Sequence, residues 1–241
     1  MSKVKPVLML DVGNVLVTVD IESIYNAVKD YGFVSNKENG ISFIHAIDNL
    51  FNLGIMDMDA CIDLYFRGIK KTIGKLSYIE NKIKLVEHWC SNKCVVLNKE
   101  IVDYCFKLLQ SDKVNLMLAS NMGVDHHRYI RTIHPFFTDE KLLKLHSFEV
   151  GAVKPKYLFF KAASDMISNI DTYYASPADI AVRKILYIDD KKENLLGAQK
   201  YITEFQHYRG FRTFQFDSAK HKPQLFIDTV QEFLCQNSLS I

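Results

Sequence analysis

From Leu97 onward the chain takes turns between short apolar runs and stretches of helical spacing, and no other feature narrows its fold class as far. Apolar runs at Val114–Ala119, Leu142–Ser147 (weaker), Ile185–Ile188 and Thr213–Phe216 read as strands. Between and around them, Lys99–Leu109, Val124–Ile133, Lys156–Ile167, Glu193–Tyr201 and Pro223–Cys235 carry apolar residues at helical spacing. The almost continuous apolar run Val4–Leu10, which stops at Asp11-Val12-Gly13-Asn14, reads as a further buried strand ending in a turn. Strands alternating with helices predict an α/β fold, a doubly wound parallel sheet with helices on both faces.

One segment breaks the alternation. Between Ile21 and about Cys94 strand signals are nearly absent, while helical spacing recurs at Ile21, Ile24, Tyr25, Val28, at Ile41, Ile44, Ile47, Phe51, at Cys61, Leu64, Tyr65 and at Ile79, Ile83, Val86. Gly32, Gly54 and Gly74 fall between these stretches as helix stops, which predicts about four antiparallel helices packed as a bundle. The expected organisation is therefore a core formed by residues 1–18 and 97–241, with residues 19–96 inserted after the first strand as a helical-bundle cap. Asn169–Arg183 is a longer polar connection than such folds usually need.

Composition removes several function classes. Lys plus Arg number 30 against 28 Asp plus Glu, a formal charge of +2, too even for a nucleic-acid or membrane-surface protein. An anionic ligand must then be held by a local arrangement of charge. The start Met1–Lys5 has no long apolar stretch and no 18 apolar residues run together, so neither a signal peptide nor a membrane span is expected. Five loosely spaced cysteines fit reduced thiols and a cytoplasmic location.

Open parallel sheets bind ligands beyond the carboxyl ends of their strands, so the polar residues closing each apolar run are the candidates for chemistry. The first strand ends in Asp11, the second in Ser120-Asn121, the connection before a helix in Lys154-Pro155, and a later strand in Asp189-Asp190. Two adjacent carboxylates with a third across the crevice make a hard oxygen donor set of the kind Mg²⁺ accepts. An aspartate attacks a phosphate dianion only where a divalent cation and a lysine offset their repulsion. In that arrangement Asp11 is the nucleophile, forming an aspartyl-phosphate that water hydrolyses. Ser120 and backbone N–H groups near Val12–Asn14 would hold the phosphoryl oxygens.

The segments LMLDVGNVLV, SN after the second core strand, GAVKP and LYIDDKKEN also resemble, in order, the four motifs of the haloacid dehalogenase (HAD) superfamily, mostly Mg²⁺-dependent phosphatases. The resemblance spans the whole chain and implies a Rossmann-like core with a helical cap closing over the substrate. By wording, the first motif is similar to the α-glucose-1-phosphate phosphatase branch and to the phosphatase domain related to epoxide hydrolases. The resemblance implies Asp11 as nucleophile and Lys154 as the charge-balancing lysine. It gives phosphate binding to Ser120, with Asn121 and Asn14. Metal ligation falls to Asp11, the Gly13 carbonyl and Asp190, with Asp189 acting through a water on the metal.

Gly13 departs from the commonest pattern, in which a second aspartate protonates the leaving oxygen and then activates water. A positioned acid or base contributes roughly 10²- to 10⁴-fold, so slow turnover or selectivity for good leaving groups is expected, with a sugar-1-phosphate or aryl phosphate favoured. Asp20 is read as the N-cap of the first cap helix rather than a remote acid. His126 and His127 open a helix just after Ser120-Asn121 and are read as surface residues, since adjacent helical positions point about 100° apart. Cys90 and Cys94 are read as core thiols. The rival functions are a 2-haloacid dehalogenase, which also lacks an acid at this position, and a catalytically weak phospho-ligand-binding protein. The expected partner is a small phosphorylated metabolite, with no nucleic acid or membrane, and the expected state a monomer or homodimer.

Overall fold

The computed structural model describes residues 4–31, 37–68, 75–170, 183–205 and 210–236. Its centre is a five-stranded sheet in the order β5-β4-β1-β6-β7. The strands are β1 (Val7–Leu10), β4 (Asn115–Ser120), β5 (Leu143–His146), β6 (Lys184–Asp189) and β7 (Gly210–Gln215), every neighbouring pair parallel. The near-continuous apolar run of β1 has a simple cause. Leu8 and Leu10 belong to one core together with Leu116, Leu118, Leu186 and Ile188, whereas Val7 and Met9 belong to a second with Met117, Ala119, Ile185 and Tyr187. A strand covered on both faces cannot alternate apolar with polar.

Helices α5 (Lys99–Ser111), α6 (Val124–Ile133), α7 (Ser147–Val150), α8 (Tyr157–Asn169), α9 (Lys192–Phe205) and α10 (Pro223–Cys235) complete the α/β core. Registers such as Leu10↔Leu118 and Leu10↔Ile188 align the ends of β1, β4 and β6. This alignment brings the residues that follow these strands to one edge of the sheet.

The segment after β1 contains α1 (Ile21–Asp30), α2 (Lys37–Asn52), α3 (Met58–Gly68) and α4 (Lys75–Trp89). Two short strands were not expected from the sequence. β2 (Val17–Val19) and β3 (Val95–Leu97) pair antiparallel, Val17 with Leu97 and Val19 with Val95, where the chain enters and leaves the four helices. Three residues are too few to show an alternating pattern, which is why this ribbon is invisible to periodicity. The Asp20 N–H donates to Cys94 O at 2.8 Å and the Asn98 N–H to Leu16 O at 2.9 Å, extending the ribbon at both ends. Asp20 itself is exposed and caps α1, its carboxylate accepting from the Ser23 N–H at 2.9 Å.

The apolar core on the Leu8 side of the sheet runs on into the four helices through Phe43, Ile44, Ile47, Phe51, Met58, Ile62, Leu85 and Trp89. Three contacts fix α2 and the start of α3 to the sheet domain. The Ser147 hydroxyl donates to Asn52 O, the Met58 N–H donates to the Asp125 carboxylate at 2.9 Å, and the Phe51 ring packs on Gly123. A Cβ at position 123 would stand 2.3–2.4 Å from three atoms of that ring. Gly54, one of the expected helix stops, follows α2 with φ +70°, the left-handed conformation glycine adopts readily. Gly32, Gly74 and most of the 169–183 connection lie outside the described residues. Among those described, no helix is long and apolar enough to cross a membrane.

Candidate active site

The ends of β1, β4 and β6, with the loop before α8, form the floor of a cavity of about 360 Å³ whose opposite wall comes from the inserted helices. Lys154 is the centre of the floor. Its side chain is fully buried, with Nζ 2.9 Å from Asp11 Oδ1 and 2.7 Å from Asp189 Oδ2. A buried ammonium is tolerable only when paired and hydrogen-bonded. Burial alone would lower its pKa, but Asp11 and Asp189 outweigh it and hold Lys154 above the ordinary lysine range.

Asn121 sets the backbone that carries this lysine. Its Oδ1 accepts from the Lys154 N–H at 2.7 Å and its Nδ2 donates to Lys154 O at 3.1 Å, which ties the end of β4 to the lysine loop. Asp189 uses both oxygens within the protein. Oδ1 accepts from the Lys191 N–H and Asn194 Nδ2, each at 2.9 Å, and Oδ2 accepts from Lys154 and from the Tyr187 hydroxyl. Burial alone would raise its pKa, but Lys154 and these hydrogen bonds prevail and lower it.

Asp11 differs. Its Oδ1 accepts from Lys154 and from the Val12 N–H at 2.7 Å, leaving Oδ2 without a hydrogen-bond partner among the described residues. Burial, reinforced by Asp189 and Asp190 and opposed by Lys154, pushes its carboxyl up to about 7. Asp190 accepts a hydrogen bond from Asn14 Nδ2 at 3.0 Å, and burial raises its pKa as well. Asn14, with φ 55°, spends its other side-chain atom on the Val19 N–H at 3.1 Å, so it links Asp190 to the ribbon strand.

Asp11, Asp189 and Asp190 each offer an oxygen within 4.8 Å of the others, and among the described residues they are the one cluster of three metal-ligating side chains. Three carboxylates against one buried lysine leave excess negative charge on hard oxygen donors. That chemistry fits a divalent cation of magnesium's preferences. Ser120 is buried at the end of β4, its hydroxyl making one long contact of 3.5 Å to Asn121 O, and it does not line the cavity. Gly13 does, and a Cβ there would meet only Val19 Cγ2 at 3.9 Å.

The fold matches solved structures over most of the chain. A HAD family enzyme from Bacteroides thetaiotaomicron, in a complex with magnesium and inorganic phosphate, superimposes with a TM-score of 0.64 at 21% identity, covering 92% of this chain and 99% of that one. This is the fold of the haloacid dehalogenase superfamily. A HAD-like hydrolase from Porphyromonas gingivalis shares it at a TM-score of 0.60 and 18% identity, over 96% of this chain and 98% of that one. A dehalogenase does so at 0.55 and 13%, over 93% and 90%. No family model and no curated protein matches the sequence.

The wall opposite this floor was not legible beforehand. His45, Asp48, Asn49 and Asn52 of α2 line the cavity, together with Trp89 of α4 and His126 of α6. The four α2 residues follow i, i+3, i+4, i+7 spacing, one face of a helix, and the apolar face at Phe43, Ile44, Ile47 and Phe51 is buried in the core. His126 corrects the surface reading. Its Nε2 is buried with no hydrogen-bond partner among the described residues, its ring meets Phe51 edge-on at 5.1 Å, and burial drives it down to about 4 against a hydrogen bond with the Trp89 backbone. His127 does not line the cavity and is half-buried rather than on the surface, its ring tilted 52° against that of His146 with centroids 4.7 Å apart. Cys94 is buried and Cys90 half-buried, and burial pushes their thiols up to about 11 and about 12, so both are inert at neutral pH.

Proposed function

We propose that this chain is a magnesium-dependent phosphatase that hydrolyses a small phosphomonoester through an aspartyl-phosphate on Asp11. The observation that carries the reading is the contrast between the two oxygens of Asp11, one held by Lys154 and a backbone N–H, the other unspent, in a carboxylate clustered with Asp189 and Asp190. A carboxylate fixed through one oxygen presents the other as an oriented nucleophile. Lys154, held by Asp11 and Asp189, brings positive charge to the phosphoryl group without needing to reorganise. Asp189 acts as the clamp on that lysine, and Asn121 as the clamp on its backbone.

Magnesium, held by Asp11, the Gly13 carbonyl and Asp190 with Asp189 behind them, would supply the charge that offsets repulsion between carboxylate and phosphate. The substrate phosphate would be gathered by Lys154 and the turn at Asn14, which line the cavity; Ser120, expected in this role from the sequence, does not line it, and Asn121 is spent on the Lys154 backbone. The neighbour crystallised with magnesium and inorganic phosphate supports this reading.

A dehalogenase reading has one observation in its favour, the glycine at position 13. Displacing halide from carbon needs no metal, however, and gives the Asp189-Asp190 pair beside the nucleophile no cation to hold. The deciding experiment is phosphate release from para-nitrophenyl phosphate with Mg²⁺, alongside Asp11→Asn and a chelator. Release abolished by both supports the proposal. Inactive wild-type protein, or halide release that survives chelation, overturns it.

A further inference from the structure

Among the described residues three carboxylates line the cavity, and two belong to the floor. The third is Asp48 on α2, whose side chain makes no hydrogen bond or ion pair with any described residue. Asp20, the other acid considered for the role missing at Gly13, is committed to capping α1. It does not line this cavity. Asp48 is half-buried and faces the nucleophile's cavity, and its neighbours say what form it takes. His45 on its own helix and Lys191 from the loop after β6 oppose its protonation, while Asp11, Lys154, Asp190 and His126 share the cavity walls. Burial prevails over His45 and Lys191 and pushes the Asp48 carboxyl up to about 6.

Resting on the phosphatase reading, we propose that Asp48 protonates the leaving oxygen and then takes a proton from the attacking water, doing from the inserted helices what Gly13 cannot do from the sheet. In the first step an Asp11 oxygen forms the bond to phosphorus. The bond from phosphorus to the alcohol oxygen breaks with its electron pair on that oxygen, which receives the Asp48 proton. In the second, water bonds to phosphorus and loses a proton to the Asp48 carboxylate, and the electron pair of the broken acyl-phosphate bond returns to Asp11. Inorganic phosphate leaves and Asp48 is again protonated. The substrate class that follows is the phosphate ester of an ordinary alcohol. His45, Asn49 and Asn52 beside Asp48 suit an alcohol bearing further hydroxyl groups, and Trp89 supplies one apolar surface.

The test compares glycerol phosphate with para-nitrophenyl phosphate in wild-type protein, Asp48→Asn and Asp48→Glu. Nitrophenolate leaves without a proton and glycerol does not. In Asp48→Asn, kcat/KM should fall by about 10²- to 10⁴-fold on glycerol phosphate and by less than about tenfold on the aryl ester. Because kcat/KM reports only the first irreversible step, kcat on the aryl ester should still fall and a burst of nitrophenolate appear as hydrolysis becomes limiting. Asp48→Glu should restore part of the glycerol phosphate activity. Equal losses on both esters, or no loss on either, overturn the assignment of Asp48 while leaving the phosphatase reading intact. An inactive wild-type protein overturns both.

Discussion

The two walls of the cavity solve opposite problems. On the floor, Lys154 is held by Asp11, Asp189 and Asn121, and Asn14 joins Asp190 to the Val19 N–H, so these side chains are almost completely satisfied. On the facing wall, Asp48 has no described partner and the buried Nε2 of His126 has none either. The floor is organised before any ligand arrives, as electrostatic catalysis requires, whereas the facing wall holds polar groups whose partners a ligand must supply. In the proposed reaction the nucleophile and its lysine belong to the sheet, whereas the proton transfers and the contacts to the alcohol belong to the inserted helices.

The largest expected effect breaks the floor. Lys154→Met leaves Asp11 and Asp189 buried without their cation, and should cost about 3–5 kcal/mol of stability along with all activity, read by denaturant unfolding of the metal-free protein. A loss under 1 kcal/mol would mean that the floor is not preorganised by this lysine. Next comes acid sensitivity. His126 folds with a pKa of about 4 against an ordinary 6.5, so its contribution is present above pH 6.5 and is lost as pH falls toward 4. About 2–3 kcal/mol should disappear over that interval, and His126→Gln should flatten the curve.

Asp48 has the reverse sign. Its carboxyl is raised from 3.8 to about 6, so folding favours its protonated form and stability is lost as pH climbs through that window. Asp48→Asn, which cannot ionise, should gain up to about 2 kcal/mol over wild type at pH 8 and nothing at pH 3.5. A destabilised variant at pH 8 would show that the carboxylate is held by partners after all. The smallest structural effects belong to His45→Ala and Asn49→Ala, expected to move stability by no more than about 0.5 kcal/mol while raising KM.

Asp11, Lys154, Asp189 and Asp190 were recognisable in the sequence because each follows an apolar run or sits in a short turn, and parallel strands carry such residues to one edge whatever the details of packing. The facing wall lacked that advantage. His45, Asp48, Asn49 and Asn52 are an ordinary polar helix face until the Phe51 ring seats on Gly123 and turns that face toward the site. Long-range docking of this kind leaves no local signature. His126 was misjudged for the same reason: α6 is amphipathic on the page, but what covers its first turn is a helix some 75 residues earlier in the chain, a separation known only from the fold. The β2–β3 ribbon was lost to its length alone.

The central claim is that Asp11 becomes covalently phosphorylated. Acid quenching of the Mg²⁺-loaded protein during turnover of para-nitrophenyl phosphate, followed by intact and peptide mass measurement, tests it most directly. The account predicts a phosphoryl adduct on the peptide containing Asp11, removed by hydroxylamine and absent from Asp11→Asn. Phosphate release without any adduct, continuing unchanged in Asp11→Asn, would contradict it.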